Sequence, residues 1–456
     1  MQKLFKAFEK NLMGPIGRLA SYKIVRAVMT AGIVTIPFTI VGSAFLIIGV
    51  LPETFTGLQG IWDVSFSKIN DLYMIANTFT MGVLAMFFCL VVGYELTKMM
   101  ASEDHLDVDP LNGALLSLMA FLFIIPELKI DGGVYKLVTN ITENTHVYNG
   151  ISLENFSTRL GTSGIFQGVL MACLAIYLYA FCVRHNWTIK LPEVVPPGVG
   201  RAFSALIPCA VISITVLLIE GLLVLFGYDL FTVIGIPFNF IAGIASTWYG
   251  VALSCFFIGL LWSVGIHGAS IIGAIIEPIS LQNLGINVAI ANGVAAAGTQ
   301  SMVYAGGFTD TLVSIGGSGG TFGLILLMLF GAKSQQLKAV SKIGVVPAIF
   351  NINEPIIFGL PVIYNPYLMI PFIIGPVAAS LVSYFAISVG IVNPMIASVP
   401  WATPLGLGAF LGTGGDFRAI LLVIVNLALL TAIYFPFFKA YDNDLYKKEL
   451  AAAAAE

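Results

Sequence analysis

The chain has 456 residues, of which 58% are hydrophobic and only 10% charged, and its formal net charge is −3. Soluble domains carry about a quarter charged residues, so this composition excludes a water-soluble fold and places the chain among integral membrane proteins. A near-neutral balance without a basic run also gives nucleic acid no electrostatic footing.

The first residues, MQKLFKAFEKNLMGPIGRLASYKIVRAV, are too charged for a cleavable signal peptide. Leu4, Phe8 and Leu12 recur every four residues beside Lys3, Lys6 and Lys10. That pattern predicts an amphipathic helix over 1–27 lying on the membrane face. A spanning helix needs about 20 apolar residues. Stretches of that kind fall at 28–50, 75–97, 111–126, 165–183, 203–227 and 247–266. Shorter or interrupted ones follow at 321–332, from 343 onward, at 369–392 and at 418–438. Lys and Arg concentrate before the first span, after the second and fourth, at Lys333, Lys338 and Lys342, and after the last. By the bias of basic residues toward the cytoplasm, both termini are cytoplasmic and the number of spans is even. The expected fold is an all-α polytopic membrane protein with about ten transmembrane helices, two re-entrant hairpins and amphipathic interfacial helices.

The organisation follows from these spans. Residues 28–227 form an N-terminal transmembrane half, 228–246 an interfacial connector containing Pro237, 247–440 a C-terminal half, and 441–456 a cytoplasmic tail. The polar stretch 127–163 is expected outside the membrane as a short hairpin, and 185–201 as an inner linker. The five cysteines show neither metal-ligand spacing nor a disulfide framework and read as small packing residues. No metal site or cofactor is expected.

The second half holds the unusual chemistry. Residues 262–320 are apolar overall yet studded with Gly, Asn and Gln, and contain His267, Glu277 and Asp310. The stretch NINEPIIFGLPVIYNP places Glu354 before Pro355, with Pro361 and Pro366 limiting helix length. Irregular backbone survives at membrane depth only when buried in protein or facing water. Two interrupted apolar segments point to a transporter binding site. A carboxylate there, Glu354, is costly and functional by default, against the plainer reading that it ties a helix end. His267 lies in WSVGIHG, where neighbouring glycines allow close backbone approach. Trp262 and Trp401 offer flat rings for the C–H faces of a sugar, although tryptophan also favours membrane interfaces. Asp310 either lines the cavity or holds a loop. IIEPI at 275–279 and NEPII at 353–357 echo each other over too few residues to establish a duplication.

NINEPIIFGLPVIYNP, GIHG and PEVVPPGVGRAFSALIP together resemble the membrane component, enzyme IIC, of the bacterial phosphoenolpyruvate-dependent sugar phosphotransferase system. The similarity is to its lactose/cellobiose/N,N'-diacetylchitobiose family and runs through essentially the whole chain. The resemblance implies a homodimer in the bacterial cytoplasmic membrane, with the first half at the dimer interface and the second holding a β-linked disaccharide. It places His267 and Glu354 beside the hydroxyl that is phosphorylated, Trp262 and Trp401 against the sugar rings, and Asn353 next to the glutamate as a secondary contact. Phosphoryl carriers, enzyme IIB and enzyme IIA upstream of it, are expected as separate proteins on the inner face. The segment 103–109 and the loop near Lys333 are candidate docking points. Two other function classes were weighed. A proton-coupled secondary sugar transporter would use Glu354 and Asp310, yet few other intramembrane charges are present to form a relay. An intramembrane enzyme would want a nucleophile–base pair or a metal cluster, and one buried-looking histidine with no HExxH argues against both.

Overall fold

The computed structural model describes residues 21–54, 59–138, 140–142, 145–148, 151–152, 159–189, 191–192, 195–263, 267–293, 295–360, 362 and 365–453. The amphipathic helix expected over 1–27 lies almost wholly outside these residues. Among the described residues, six helices are long and apolar enough to cross a membrane. A seventh is added if Leu230–Ala245 and Trp248–Ser263, separated by a sharp break, count as one span. Three shorter apolar helices accompany them: Pro110–Leu122, Ile275–Ala291 and Phe322–Gly331. The chain is a multi-pass, predominantly helical membrane protein.

By mutual contact the chain divides into two compact units, one of 1–42 and 75–242 and the other of 43–74 and 243–456. The helix Lys23–Thr54 (α1) therefore begins in the first unit and ends in the second, and Gln59–Val64 (α2) and the start of Asn70–Thr78 (α3) belong with the later half of the sequence.

The first unit is built on Leu84–Glu103 (α4), Pro110–Leu122 (α5) and Ile165–Arg184 (α6). Pro110 opens α5 with Asp109 as its cap, accepting from the Asn112 amide at 3.0 Å. Small residues bring α4 and α5 together. Gly93 and Thr97 on α4 face Gly113 and Ser117 on α5; a Cβ on Gly93 would strike Ser117, and one on Gly113 would strike Thr97. Both hydroxyls turn back onto their own helix, Thr97 to the Gly93 carbonyl (2.7 Å) and Ser117 to that of Gly113 (2.8 Å). This is the small-residue packing by which helices approach closely in lipid, where burial of apolar surface gives little drive.

Between α5 and α6 lie short antiparallel strands: Leu128–Asp131 (β1) with Val134–Leu137 (β2), and Asn140–Thr142 (β3), Thr145–Tyr148 (β4) and Ile151–Ser152 (β5) in a second sheet. They answer to the polar hairpin expected over 127–163. Beside them Arg159 is buried; it pairs with Asp229 at 2.6 Å and donates to the carbonyls of Ile124 and Ile125. Burial pushes the Asp229 carboxyl up, but Thr232 and the Arg159 guanidinium together hold it below the ordinary aspartate range. At the other end of α4, Lys23 and Arg26 reach Asp104 and Glu103, Arg184 approaches Asp104, and Arg201 approaches Asp109. The acidic segment 103–109 is thus already matched by basic side chains of its own unit. Pro197–Ser204 (α7), Leu206–Leu225 (α8) and Leu230–Ala245 (α9) complete the sequence to the second unit.

The second unit contains Trp248–Ser263 (α10), Gly268–Ala291 (α11), Phe322–Gly331 (α12), Gln335–Ile349 (α13), Glu354–Gly359 (α14), Pro366–Ser388 (α15), Leu407–Gly412 (α16) and Phe417–Ala453 (α17). The span expected at 418–438 and the tail expected from 441 are one helix, which continues to Ala453. The loop at Lys333 is fastened to it: Asp442 accepts from the amides of Lys333 and Ser334, and Glu449 from those of Gln335 and Gln336. The stretch 262–320 is more helical than expected. Glu277 and Pro278 lie within the 24-residue α11, whereas Glu354 and Pro355 begin α14. The two Glu-Pro steps therefore occupy different places in their helices.

Candidate functional site

The irregular backbone between α11 and α12 is satisfied by a polar stripe on α11. Ser280, Asn283 and Asn287 fall three and four residues apart, so they share one helix face. Ser280 exchanges hydrogen bonds with Gly306 (2.8 and 3.2 Å), and Asn283 donates to the Tyr304 carbonyl at 2.6 Å. Asn287 both donates to the Met302 carbonyl (2.8 Å) and accepts from its amide (2.7 Å). From α17, Asn426 donates to the Leu312 carbonyl at 2.8 Å and to Ser383 at 2.7 Å, holding the π-helical turn Thr309–Val313. Backbone that lipid could not satisfy is satisfied by buried amides.

Onto this frame the NIN segment before α14 ties three further pieces. Asn351 takes the left-handed backbone conformation, φ 60°, which asparagine tolerates better than most residues. Its amide nitrogen donates to the Trp401 carbonyl at 2.9 Å and to the Asp310 carbonyl at 3.4 Å, while its oxygen accepts from the Gly316 amide at 3.0 Å. Asn353, 5% exposed, donates to the Ser318 carbonyl (2.6 Å) and to the Thr321 hydroxyl (2.9 Å). The glycine turn between them must be bare. Gly317 has φ 95°, and a Cβ there would lie 2.7 Å from the Asn351 carbonyl. Only glycine meets both demands.

α14 brings the last part of the site. Ile356, Ile357 and Leu360 bury into a cluster with Leu324, Leu368 and Phe372, and Trp262 at the end of α10 packs against that cluster. The Trp262 ring lies 4.5 Å from that of His267, tilted by 48°. Its indole Nε1 is buried without a hydrogen-bond partner among the described residues, a donor available to a ligand. His267 is exposed. Glu277 and Asp310 lie within electrostatic reach of each other, and both keep accessible surface.

The residues expected at the site therefore fall into two linked groups: Trp262 with His267 against α14, and Asp310 with Trp401 joined through Asn351. Glu354 opens α14 immediately after Asn353, and its side chain lies outside the described residues. Asn353 is a structural tie within the site. Asn351 and the Ser280/Asn283/Asn287 stripe went unremarked as ties in the sequence. The helical spacing of the stripe was the available signal; the bonding of Asn351 leaves no periodic trace.

A family model described as "Phosphotransferase system, EIIC" matches residues 29–376. The chain belongs to that family. It is 32% identical to the PTS system cellobiose-specific EIIC component of Geobacillus stearothermophilus over 99% of this chain and 97% of that one. It is 29% identical to the lactose-specific EIICB component of Staphylococcus aureus (strain N315), covering 98% of this chain and 74% of that protein. Among solved structures, the crystal structure of ChbC, the IIC component of the N,N'-diacetylchitobiose-specific phosphotransferase system, superposes with a TM-score of 0.84 at 31% identity. That match covers 97% of this chain and 99% of the other. As an EIIC component, the chain is the sugar-transporting membrane part of a phosphotransferase system and works with an EIIB partner.

Proposed function

We propose that this EIIC component binds a β-linked disaccharide, cellobiose first and diacetylchitobiose or lactose next, and presents it for phosphorylation by EIIB. The observation that carries the reading is the site itself: two aromatic platforms, Trp262 beside His267 with an indole donor unpartnered among the described residues, and Trp401, whose backbone is tied by Asn351 just before the segment that starts at Glu354. Two platforms suit two sugar rings. In the proposed step a sugar hydroxyl oxygen forms the new bond to phosphorus as the bond to the donor on EIIB breaks. The hydroxyl proton passes to the Glu354 carboxylate, and His267 orients the hydroxyl. Phosphoryl transfer otherwise needs positioning more than covalent help. The donor comes from the cytoplasm, so the site opens inward during the cycle.

The finer architecture belongs to the same reading. Ten spans arise if the shorter apolar helices and broken segments complete crossings, with hairpins over 262–320 and 351–368 entering and leaving on one side. The basic ends place both termini in the cytoplasm. The first half serves a homodimer, the second the sugar, and EIIA charges EIIB upstream. Family membership does not favour a proton-coupled transporter.

The test is uptake of labelled cellobiose into proteoliposomes with phosphoenolpyruvate and the carrier proteins on the cytoplasmic side. Carrier-dependent cellobiose phosphate is expected, falling about 10²-fold or more in Glu354→Gln while equilibrium binding of cellobiose persists. Free sugar accumulating on a proton gradient without carriers would overturn the reading.

A further inference from the structure

A second cavity opens at the far end of the substrate unit. Its volume is about 560 Å³, and it is walled by Asn287, Ser301, Asn393, Asp416, Phe417 and Arg418, among others. None of the residues assigned to the sugar site lines it. His267 stands just before the first residue of α11, whereas Asn287, Ile290 and Ala291 reach the cavity from its last turns. At 1.5 Å per residue, the run from Gly268 to Asn287 puts His267 about 29 Å from the cavity, whereas Trp401 stands only five residues along the chain from Ile396 on its wall. The cavity also lies at the start of α17, whose other end carries Lys439, Lys447 and Lys448. With those lysines toward the cytoplasm, the cavity faces outward.

Its wall is mostly apolar and carries one ion pair that neutralises itself. The Asp416 carboxylate is buried and accepts from the Asn393 amide (2.9 Å), the Arg418 amide (3.0 Å) and the Arg418 guanidinium through Nε (2.9 Å) and Nη2 (2.9 Å). Arg418 also donates to Asn393 Oδ1 at 3.1 Å. Carboxylate and guanidinium cancel, so neither an anion nor a cation gains from entering. Gly414 and Gly415, at φ 72° and 96°, leave bare backbone on the wall. Phe417 is 60% exposed beside it. An ion pair whose outer edge still offers polar atoms, beside the exposed edge of a Phe417 ring that packs on Phe410 at 4.9 Å, suits a hydroxyl-rich ring with an apolar face, and the volume suits a small ligand of disaccharide size.

The cavity is also joined to the sugar site by one segment. Residues 393–396 leave its wall, residues 412–416 return to it, and the Ile396 and Ala397 amides close the base of the loop on the Gly412 carbonyl at 2.8 and 3.1 Å. Trp401 lies within that loop, its carbonyl held by Asn351. We propose that the cavity is a second, outward-facing sugar subsite, which holds the disaccharide before it moves along the Trp401 segment to Trp262 and His267. This rests on the disaccharide reading of the chain.

The experiment places a fluorophore in the cavity through Ser301→Cys, in the full chain carrying Cys209→Ser, since Cys89, Cys173, Cys182 and Cys255 are buried. The labelled protein in nanodiscs is titrated with cellobiose. A saturable signal is expected, shifted less than about threefold by Trp262→Ala and weakened about tenfold by Arg418→Ala, the loss of roughly one charge-assisted hydrogen bond. Phe417→Leu, with the same expected direction, replaces Arg418→Ala if that variant fails to fold. A signal abolished by Trp262→Ala overturns the proposal, because the probe is then reading the inner site. So does an absent signal in protein that, before labelling, yields carrier-dependent cellobiose phosphate. If no cellobiose phosphate forms either, the disaccharide reading itself falls, and the subsite with it.

Discussion

The two units solve the problem of holding protein together in lipid by different means. In the first, regular helices touch through small residues: Gly93 and Thr97 against Gly113 and Ser117, each hydroxyl satisfied on its own helix. In the second, buried amides bond to backbone that is not helical. Asn283, Asn287, Asn351, Asn353 and Asn426 all donate to carbonyls of neighbouring segments. The first arrangement makes a rigid scaffold from helices alone. The second admits turns at membrane depth, and turns are what allow Trp401, Asp310 and the start of α14 to converge. A binding site for a polar ligand needs the second kind of construction.

The comparison breaks most clearly at Asn353. Asn353→Leu keeps the volume but strands the Ser318 carbonyl and leaves the Thr321 hydroxyl with only its bond to the Gly316 carbonyl, a cost of about 1–3 kcal/mol for a buried group left unpaired. Loss of cellobiose binding is expected with the first unit still folded, read by sugar binding beside circular dichroism. Retained affinity would mean that the glycine turn holds its shape without the amide. The counterpart in the first unit is Gly113→Val, which drives a branched side chain into Thr97. Overpacking of this kind costs about 1–3 kcal/mol. It is expected to lower the melting temperature and yield while leaving cellobiose affinity in the surviving protein within twofold. A selective loss of affinity instead would show that the scaffold shapes the site.

This contrast explains what could be read from the sequence. Apolar runs gave the long helices, and the scarcity of charges gave Glu354, Glu277 and Asp310 their prominence, because both signals are local. Trp262 and His267 stand five residues apart, and their packing follows from that proximity. The link between Trp401 and the rest does not: Asn351 reaches it across fifty positions, and nothing local in the sequence marks that bond. The glycines at 316–320 count in the sequence only as part of a glycine-rich stretch, whereas Gly317 is bare because Asn353 and the Asn351 carbonyl occupy the space. Helix bounds suffered for a related reason. The stretch 262–320 reads as irregular throughout, yet α11 runs unbroken through Pro278; a proline inside a helix is tolerated at membrane depth where surrounding protein can satisfy the carbonyl it frees.

A smaller effect sharpens the role of Asn351. Asn351→Gly keeps the left-handed backbone available and removes only the side-chain bonds to Trp401, Asp310 and Gly316. With about 1 kcal/mol for the one bond that holds Trp401, KM for cellobiose uptake is expected to rise about fivefold with the thermal midpoint little changed. Asn351→Asp retains the acceptor for Gly316 but loses the donor to Trp401, so it is expected to resemble Asn351→Gly in KM. Full activity in Asn351→Asp would show that the Gly316 contact alone matters.

The smallest effect is expected where the first unit looks most strongly bonded. Arg26 and Glu103 approach to 2.7 Å, but their side chains keep 45% and 38% of their accessible surface. Lys23 contacts both Glu103 and Asp104 and supplies a second cation to the same patch. In high dielectric the attraction is weak, and ordering two long side chains opposes it, leaving at most about 1 kcal/mol. Arg26→Ala is therefore expected to shift the thermal midpoint by no more than a degree or two, and raising salt to 1 M, where the screening length falls to about 3 Å, is expected to erase the shift. Helix contacts such as Gly113 against Thr97 are indifferent to salt. A large, salt-sensitive loss in Arg26→Ala would mean that charge at the helix ends, rather than small-residue packing between them, holds the first unit together.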